Sequence, residues 1–510
     1  MKVRLGLILL LCAAVWAQTT APEPPVPPQP PAAQSPARPQ PPPVPPEPTA
    51  PPSAGVGETR GNPNAEGRPE ARISPQQAEE LFRSVDEILQ FVSKDTGLPI
   101  KHKVKRQLAS RDQVESYIQS RMEDDEDAKR LQRTSVVLKK FGLLPRDFDL
   151  KKFLIALLKE QVAGYYDAKT QTVYLLDWVE PEQQKPVLAH ELTHALQDQN
   201  FGLEQLSKNA KKNDPTGLQA DERLAAREAV IEGQGMIVLM DYMLAPMGSS
   251  VARQPELVDA MQAGLMAASP GMAVFNHAPM FVQQVLVFPY RYGTLFERDV
   301  LIAEGKQKAF AGVLKNPPAD TRQIMQPDTY LQGQVAPPLT PLDFNKLAPG
   351  YKKWDLSNMG EFDVLLLLDQ YATPEIAKDL SSRWRGGYYW AARLPNDSHA
   401  DDAMTPDQLA VIYISRWSNP ETAARFAGAY AKAIPKRYPE ADQVSGVIPP
   451  RLKEVPGAGV QVTISPQLSG PASWQTRQGQ VTVEPRGDTV LVMEGLDAQT
   501  AKHVRDAVFP

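Results

Sequence analysis

The chain has 510 residues, 60 Asp and Glu against 55 Lys and Arg, a formal net charge of -5 and one cysteine. That mild acidity, with no Lys- or Arg-rich block, disfavours a nucleic-acid or anionic-membrane partner. The length suffices for two ordinary domains, and no apolar run approaches the ~20 residues a membrane span needs.

At the N-terminus Lys2 and Arg4 precede a short apolar core from Leu5 to Ala14, and Val15-Trp16-Ala17 offers a processing site before Gln18. This is the pattern of a secretory signal peptide over residues 1–17, too short for a membrane anchor. The protein is therefore expected to be exported, periplasmic or extracellular. Leu11 before Cys12 argues against lipid attachment at that cysteine. Cys12 leaves with the signal, so any metal must be held by His, Asp or Glu, and the charge of -5 becomes -7 once Lys2 and Arg4 are lost.

Residues 18–72 read as a disordered linker, since 17 of the 34 residues from Thr20 to Ser53 are proline. Such a stretch is an extended polyproline II spacer, reaching roughly 100 Å at about 3.1 Å per residue. It serves as a stalk associating the protein with the cell envelope, or as a plain tether.

Order is expected from residue 73. Ser74-Pro75 reads as an N-cap followed by proline at the first helical position, opening a helix to about residue 93. Helices follow at 111–122, at 124–141 with Gly142 as its stop, and at 150–162 with Asp149 as its cap. GYYDAKTQTVYLLD (164–177) reads as a hairpin, two β-rich runs around a polar turn. Further helices are expected at 182–199, 218–244, 255–268 and 280–304, then a proline-rich loop over 316–341. Beyond it, MGEFDVLLLLDQY is helical, GGYYWAARL and LAVIYISRW are strands, 420–434 is helical, and 461–493 alternates like a meander. The class is α+β: a mostly helical domain with a small edge-strand hairpin over 73–347, then a smaller α+β module over 348–510.

The chemistry lies in VLAHELTHALQDQNFG (187–202). His190 and His194 are one helical turn apart, so both imidazoles can point at one zinc ion. Glu191 sits beside the metal, where it can take a proton from a zinc-bound water and pass it to a leaving amine. Read as chance, the pattern would bury two imidazoles and a carboxylate in an apolar helix, which is costly without a partner. A third ligand is expected from AAREAVIEGQGMIVLMDYM, where Glu232 is flanked by Ala225, Ala229, Gly233 and Gly235, residues small enough for close helix approach. Glu228, one turn earlier, is the reserve. Asp198, one turn after His194, is either its second-nitrogen partner or an exposed helix-end charge.

These segments carry a resemblance. HELTH on one helix, EG on a second, and an upstream GYYD…T…VYL strand resemble the gluzincin metallopeptidases, the thermolysin-like clan. AHELTHALQDQ, AVIEGQG, FPYRYG and RQIMQPDTY are similar to a set of bacterial exported gluzincin-like proteins, over roughly residues 150–390. The resemblance implies His190, His194 and Glu232 as zinc ligands, Glu191 as base, and the strand near Val173 as an edge that takes up substrate backbone. The sequence departs from the family pattern at SRWRGGYYWAAR, where an Asp-Arg pair would follow the glycines, and at Gln326, where a histidine is usual.

The family's oxyanion donor is commonly a Tyr or His on a later helix; Tyr290 leads here, with Tyr292 and His277 behind it. His102, His399 and His503 show no ligand spacing. Trp384, Tyr388, Tyr389 and Trp390 either line a binding face or pack a strand. The expected function is an exported zinc peptidase hydrolysing peptide or protein substrates. The alternative is a catalytically inactive, surface-tethered binding or scaffold protein on the same body.

Overall fold

The computed structural model describes residues 72–122, 125–161, 164–212, 217–260, 272–446, 451–454, 461–464 and 466–510. The signal peptide, Cys12 and the proline-rich linker to residue 71 lie outside them, as does most of the helix expected at 255–268. Within them the protein is α+β.

Helix α1 (Pro75–Thr96) opens with a reciprocal capping box. The Ser74 hydroxyl accepts from the Gln77 amide while the Gln77 side chain accepts from the Ser74 amide, and Gly97 closes the helix at φ 73°. Strand β1 (Lys105–Ala109) leads into α2 (Arg111–Met122), α3 (Asp125–Lys140) and α4 (Leu150–Gln161). The hairpin forms as β2 (Tyr165–Asp167) and β3 (Thr172–Leu176), antiparallel.

One expectation is overturned here. β3, which carries Val173, is the central strand of a three-stranded sheet, because β1 pairs with it in parallel on the side away from β2. The sequence hides this, since the partner lies some 67 residues upstream. β2 is therefore the outer strand beside the helix that carries His190 and His194.

That helix, α5 (Pro181–Phe201), is buried at every position from Val187 to Gln197. Gln184 in its first turns clamps it to the sheet, accepting from the Leu176 amide and donating to the Leu176 and Val179 carbonyls. After α6 (Leu203–Lys211), the long α7 (Ala220–Leu244) crosses α5 and packs along α8 (Met280–Glu304). The approach of α7 to α8 depends on two glycines. A Cβ on Gly233 would stand 2.3 Å from the Gly293 carbonyl oxygen, and one on Gly293 would stand 2.0 Å from that of Ala229.

A π-helical turn (Gln307–Gly312) follows α8. The stretch expected as loop holds two short helices, Thr321–Met325 capped by Asp320 and Pro327–Leu331 started by Pro327. Gln326 between them donates to the Glu361 carboxylate and the Ser382 carbonyl, which ties these two short helices to the second half of the chain.

The second half is a seven-stranded antiparallel sheet in the order β4-β5-β6-β12-β11-β10-β7. Its strands are β4 (Lys352–Asn358), β5 (Trp384–Arg393), β6 (Leu409–Trp417), β7 (Asp442–Ser445), β10 (Ala472–Thr476), β11 (Gly479–Arg486) and β12 (Thr489–Glu494). The expected meander is shorter than 461–493, because β9 (Gln461–Ile464) pairs with β8 (Arg451–Glu454) in a separate ribbon. Helices α9 (Glu361–Tyr371), α10 (Pro374–Ser381), α11 (Pro420–Arg437) and α12 (Ala498–Val508) accompany the sheet. Trp384, Tyr388, Tyr389 and Trp390 are all buried on β5, so they pack the sheet. Buried apolar side chains from Leu81 to Val492 form one core that continues across residue 347.

Glu297, one turn beyond Gly293 on α8, is fully buried. Neither of its oxygens makes a well-formed hydrogen bond, because the adjacent Gln234 amide spends both protons elsewhere. Burial holds its carboxyl well above the usual range, offset only in part by Gln234. A carboxyl raised on folding contributes stability that is full below the unfolded value of about 4.3 and falls as pH rises above it. Glu297→Gln is thus expected to flatten the decline of the urea midpoint between pH 5 and pH 8, and to be at least as stable as wild type at pH 8.

Candidate metal centre

Three donor atoms from two helices meet in the interior. His190 and His194, on one face of α5, bring their Nε2 atoms to 3.0 Å from each other. Glu232 on α7 places Oε2 3.0 Å from the His190 nitrogen and 3.6 Å from that of His194. Donors bound at 2.0–2.1 Å to one tetrahedral ion lie about 3.3–3.4 Å apart. The triangle is already of that size without any side chain moving. The second Glu232 oxygen and His190 Nδ1 are buried with no hydrogen-bond partner among the described residues. Glu228 is only half-buried, so of the two glutamates considered it is Glu232 that the fold turns inward.

The electrostatics follow from this packing. Burial alone would push the Glu232 carboxyl up, but the imidazoles, His194 foremost, outweigh it and bring it down to about 2. Burial pulls His194 down, and the Glu232 carboxylate more than reverses that, to about 9. The buried carboxylate and the imidazoles thus favour each other's charged forms. His190, Glu191 and His194 bring ligand atoms within 4.8 Å of one another, a buried cluster that could bind a metal ion, and the Glu232 carboxylate lies against both imidazoles.

Glu191 is 3 % exposed and is held from behind. The Tyr166 amide on β2 donates to its Oε2 at 2.8 Å, and burial raises its carboxyl against the opposing pull of His194 and His190. Since Tyr166 belongs to the outer strand, the sheet edge and the helix share one contact, which fixes where the Glu191 head group sits.

Asp198 does not serve His194. It accepts from the Tyr166 hydroxyl at 2.9 Å and from the Leu203 amide at 2.9 Å. The partner of His194 Nδ1 is Gln197 Oε1 at 2.9 Å, one residue earlier on the helix. Sequence reading missed Gln197 because a carboxylate one full turn on looked the better acceptor. Followed directly by Asp198, Gln199 and Asn200, Gln197 reads as one of a polar helix end, and only its complete burial marks it as an amide in need of polar partners.

Gly235 was expected only to permit close helix packing; it does more. A Cβ there would stand 2.7 Å from both Cε1 and Nδ1 of His190, so the glycine is the floor under that ring. Of the three candidates for an oxyanion donor, Tyr290 lies against the site, its buried ring nearly parallel to His190 at 6.4 Å between centroids. Tyr292 packs instead on Phe288 and Phe362, and His277 is exposed, bonded to the Ala273 carbonyl. His102 and His503 are exposed and His399 pairs with Asp397, all away from the cluster.

Comparison of the chain with family models, with curated proteins and with solved structures gave no match.

Gly235→Ala is expected to displace the His190 ring and weaken metal binding by about 10- to 100-fold, the range seen when a ligand's support is lost. Gly233→Ala, which strikes backbone on α8 instead, is expected to lower stability by about 1–3 kcal/mol with or without metal. Chelator competition alongside thermal melts of the metal-free proteins distinguishes the two effects.

Proposed function

We propose that this protein is a zinc-dependent peptidase of the gluzincin type, exported and tethered by its proline-rich segment, with His190, His194 and Glu232 as ligands. The observation that carries the reading is the meeting of two imidazole nitrogens and one carboxylate oxygen within 3.6 Å, with a second, separately anchored carboxylate beside them. Zinc is the metal favoured by a nitrogen-rich, thiol-free set of three, the usual number for a catalytic site, which keeps one position open. When bound, such an ion supplies Lewis acidity, polarising a substrate carbonyl and making water more acidic.

The chain's own groups supply the proton handling and the positioning. Glu191 accepts the proton of the attacking water on its carboxylate and delivers it to the leaving nitrogen. Its Oε2 is anchored by Tyr166, and its burial raises its affinity for the proton it must carry. Tyr290 is the group best placed beside His190 to donate a hydrogen bond to the oxygen that gains charge. The fold around these residues is more general: an α+β body with helical site elements does not by itself single out a family.

A second reading has one observation in its favour. His190, Glu191, His194 and Glu232 are 0–6 % exposed, which also suits a body that retains a metal for firmness while another surface does the binding. One experiment separates the two. Wild type is expected to hold about one zinc per chain and to cut members of a peptide library. Glu191→Gln is expected to keep its zinc and lose turnover by at least about a hundredfold. Zinc retained with no peptide cut by either protein would leave the inert body as the answer.

A further inference from the structure

Resting on the metal-site reading above, the geometry points to Gln197 and Gln234 as positioning residues: a buried two-amide relay that runs from the π-helical turn to His194 and sets which ring nitrogen carries the proton. The relay touches neither substrate nor Glu191. Apart from the His194 ring at its end, every group in it has a donor or acceptor role fixed by covalent chemistry.

It starts at the π turn, where the Ala309 and Phe310 carbonyls face a single side chain on α7. Gln234 Nε2 donates to both, at 2.9 and 3.1 Å. Carbonyl oxygens only accept, so the nitrogen end of Gln234 must face the turn and its Oε1 must face the other way. There it accepts from Gln197 Nε2 at 2.8 Å, and that nitrogen spends its second proton on the Ile231 carbonyl at 3.1 Å. Both protons being used, Gln197 must present Oε1 to His194 Nδ1, 2.9 Å away. An acceptor at that position requires Nδ1 to be the protonated nitrogen. The Nε2 lone pair is then left on the side of His190 and Glu232, where a cation would be held.

The alternative orientation fails at each link. Turning Gln197 over would set its Oε1 against the Ile231 carbonyl and Gln234 Oε1, acceptor facing acceptor, and press its NH2 group on Nδ1, forcing the proton onto Nε2 and removing a ligand. Turning Gln234 over would set its Oε1 against the Ala309 and Phe310 carbonyls and its NH2 against that of Gln197, acceptor facing acceptor and donor facing donor. Each orphaned group costs about 1–3 kcal/mol, so the network has one satisfied state. Both glutamines are completely buried, and solvent cannot substitute for any member. A π turn widens the helix and is common at functional sites; here it offers two adjacent carbonyls to one amide.

The test uses the full chain and three variants. Gln197→Met removes the acceptor, Gln197→Glu restores it, and Gln234→Met cuts the relay at a residue that touches no ligand. Three readouts are taken: zinc affinity by chelator competition, thermal stability of the metal-free protein, and the ring-nitrogen NMR shifts of His194 at a pH where the imidazole is neutral. The relay predicts that Gln197→Met and Gln234→Met both weaken zinc, by about 10- to 100-fold for the first and less for the second, and that Gln197→Glu recovers most of the loss. It also predicts a neutral His194 protonated at Nδ1 in wild type and mixed between nitrogens in Gln234→Met. Should Gln234→Met fail to fold, the Met and Glu pair at position 197 decides alone. Gln234→Met with unchanged zinc affinity and unchanged ring shifts, but a lower melting point, would reduce both residues to packing and overturn the relay. Wild type that binds no zinc would overturn the proposed function instead, and the ring shifts would still judge the relay.

Discussion

A carboxylate with no access to water must be neutralised by its neighbours, and in this protein that requirement falls on Glu232. Its oxygen meets two imidazoles from a single turn of α5, and the surrounding structure is arranged so that it can. α7 must come close enough to α5 for the contact, which is why Gly235 lies under the His190 ring. α7 must also be held from its far side, which the Gly233 and Gly293 crossing with α8 achieves. A buried charge group of this kind is stabilising only when every member is present, so the fold and the site are one electrostatic problem.

The supports of the site come from distant parts of the chain. The sheet lends a backbone amide to Glu191, the first turns of α5 are fastened to β3 through Gln184, and the π turn reaches His194 through two amides. Groups borrowed from rigid elements hold a head group more tightly than loop residues would. In the function proposed above they would divide the labour: the imidazoles and Glu232 would hold the cation, Glu191 would carry the proton, and the glutamines would set orientation.

Much of this was legible in the sequence, and for identifiable reasons. The helix starts at Ser74-Pro75 and at residue 280, the hairpin turn and the strand runs around Tyr389 and Tyr413 follow local rules that a short window contains. The pairing of His190 with His194 is helical geometry, and Glu232 stood out as an acid in an apolar helix. What stayed hidden was non-local. The parallel partner of β3 lies far upstream, β9 alternates like the meander it does not join, and the choice of Gln197 over Asp198 turns on a tyrosine from another element. The two short helices after residue 320 were masked by proline, which ends one segment and begins the next.

The large sheet has one further implication. Among the described residues no strand pairs with the outer side of either border strand, and such a side is where a passing extended chain could add. β4 opens with Lys352 and Lys353, both exposed, and β7 is exposed along its length with Asp442 and Gln443 at its start. Charge and polarity at both borders make recruitment of a further strand unfavourable, so the sheet ends at seven by composition as well as by topology.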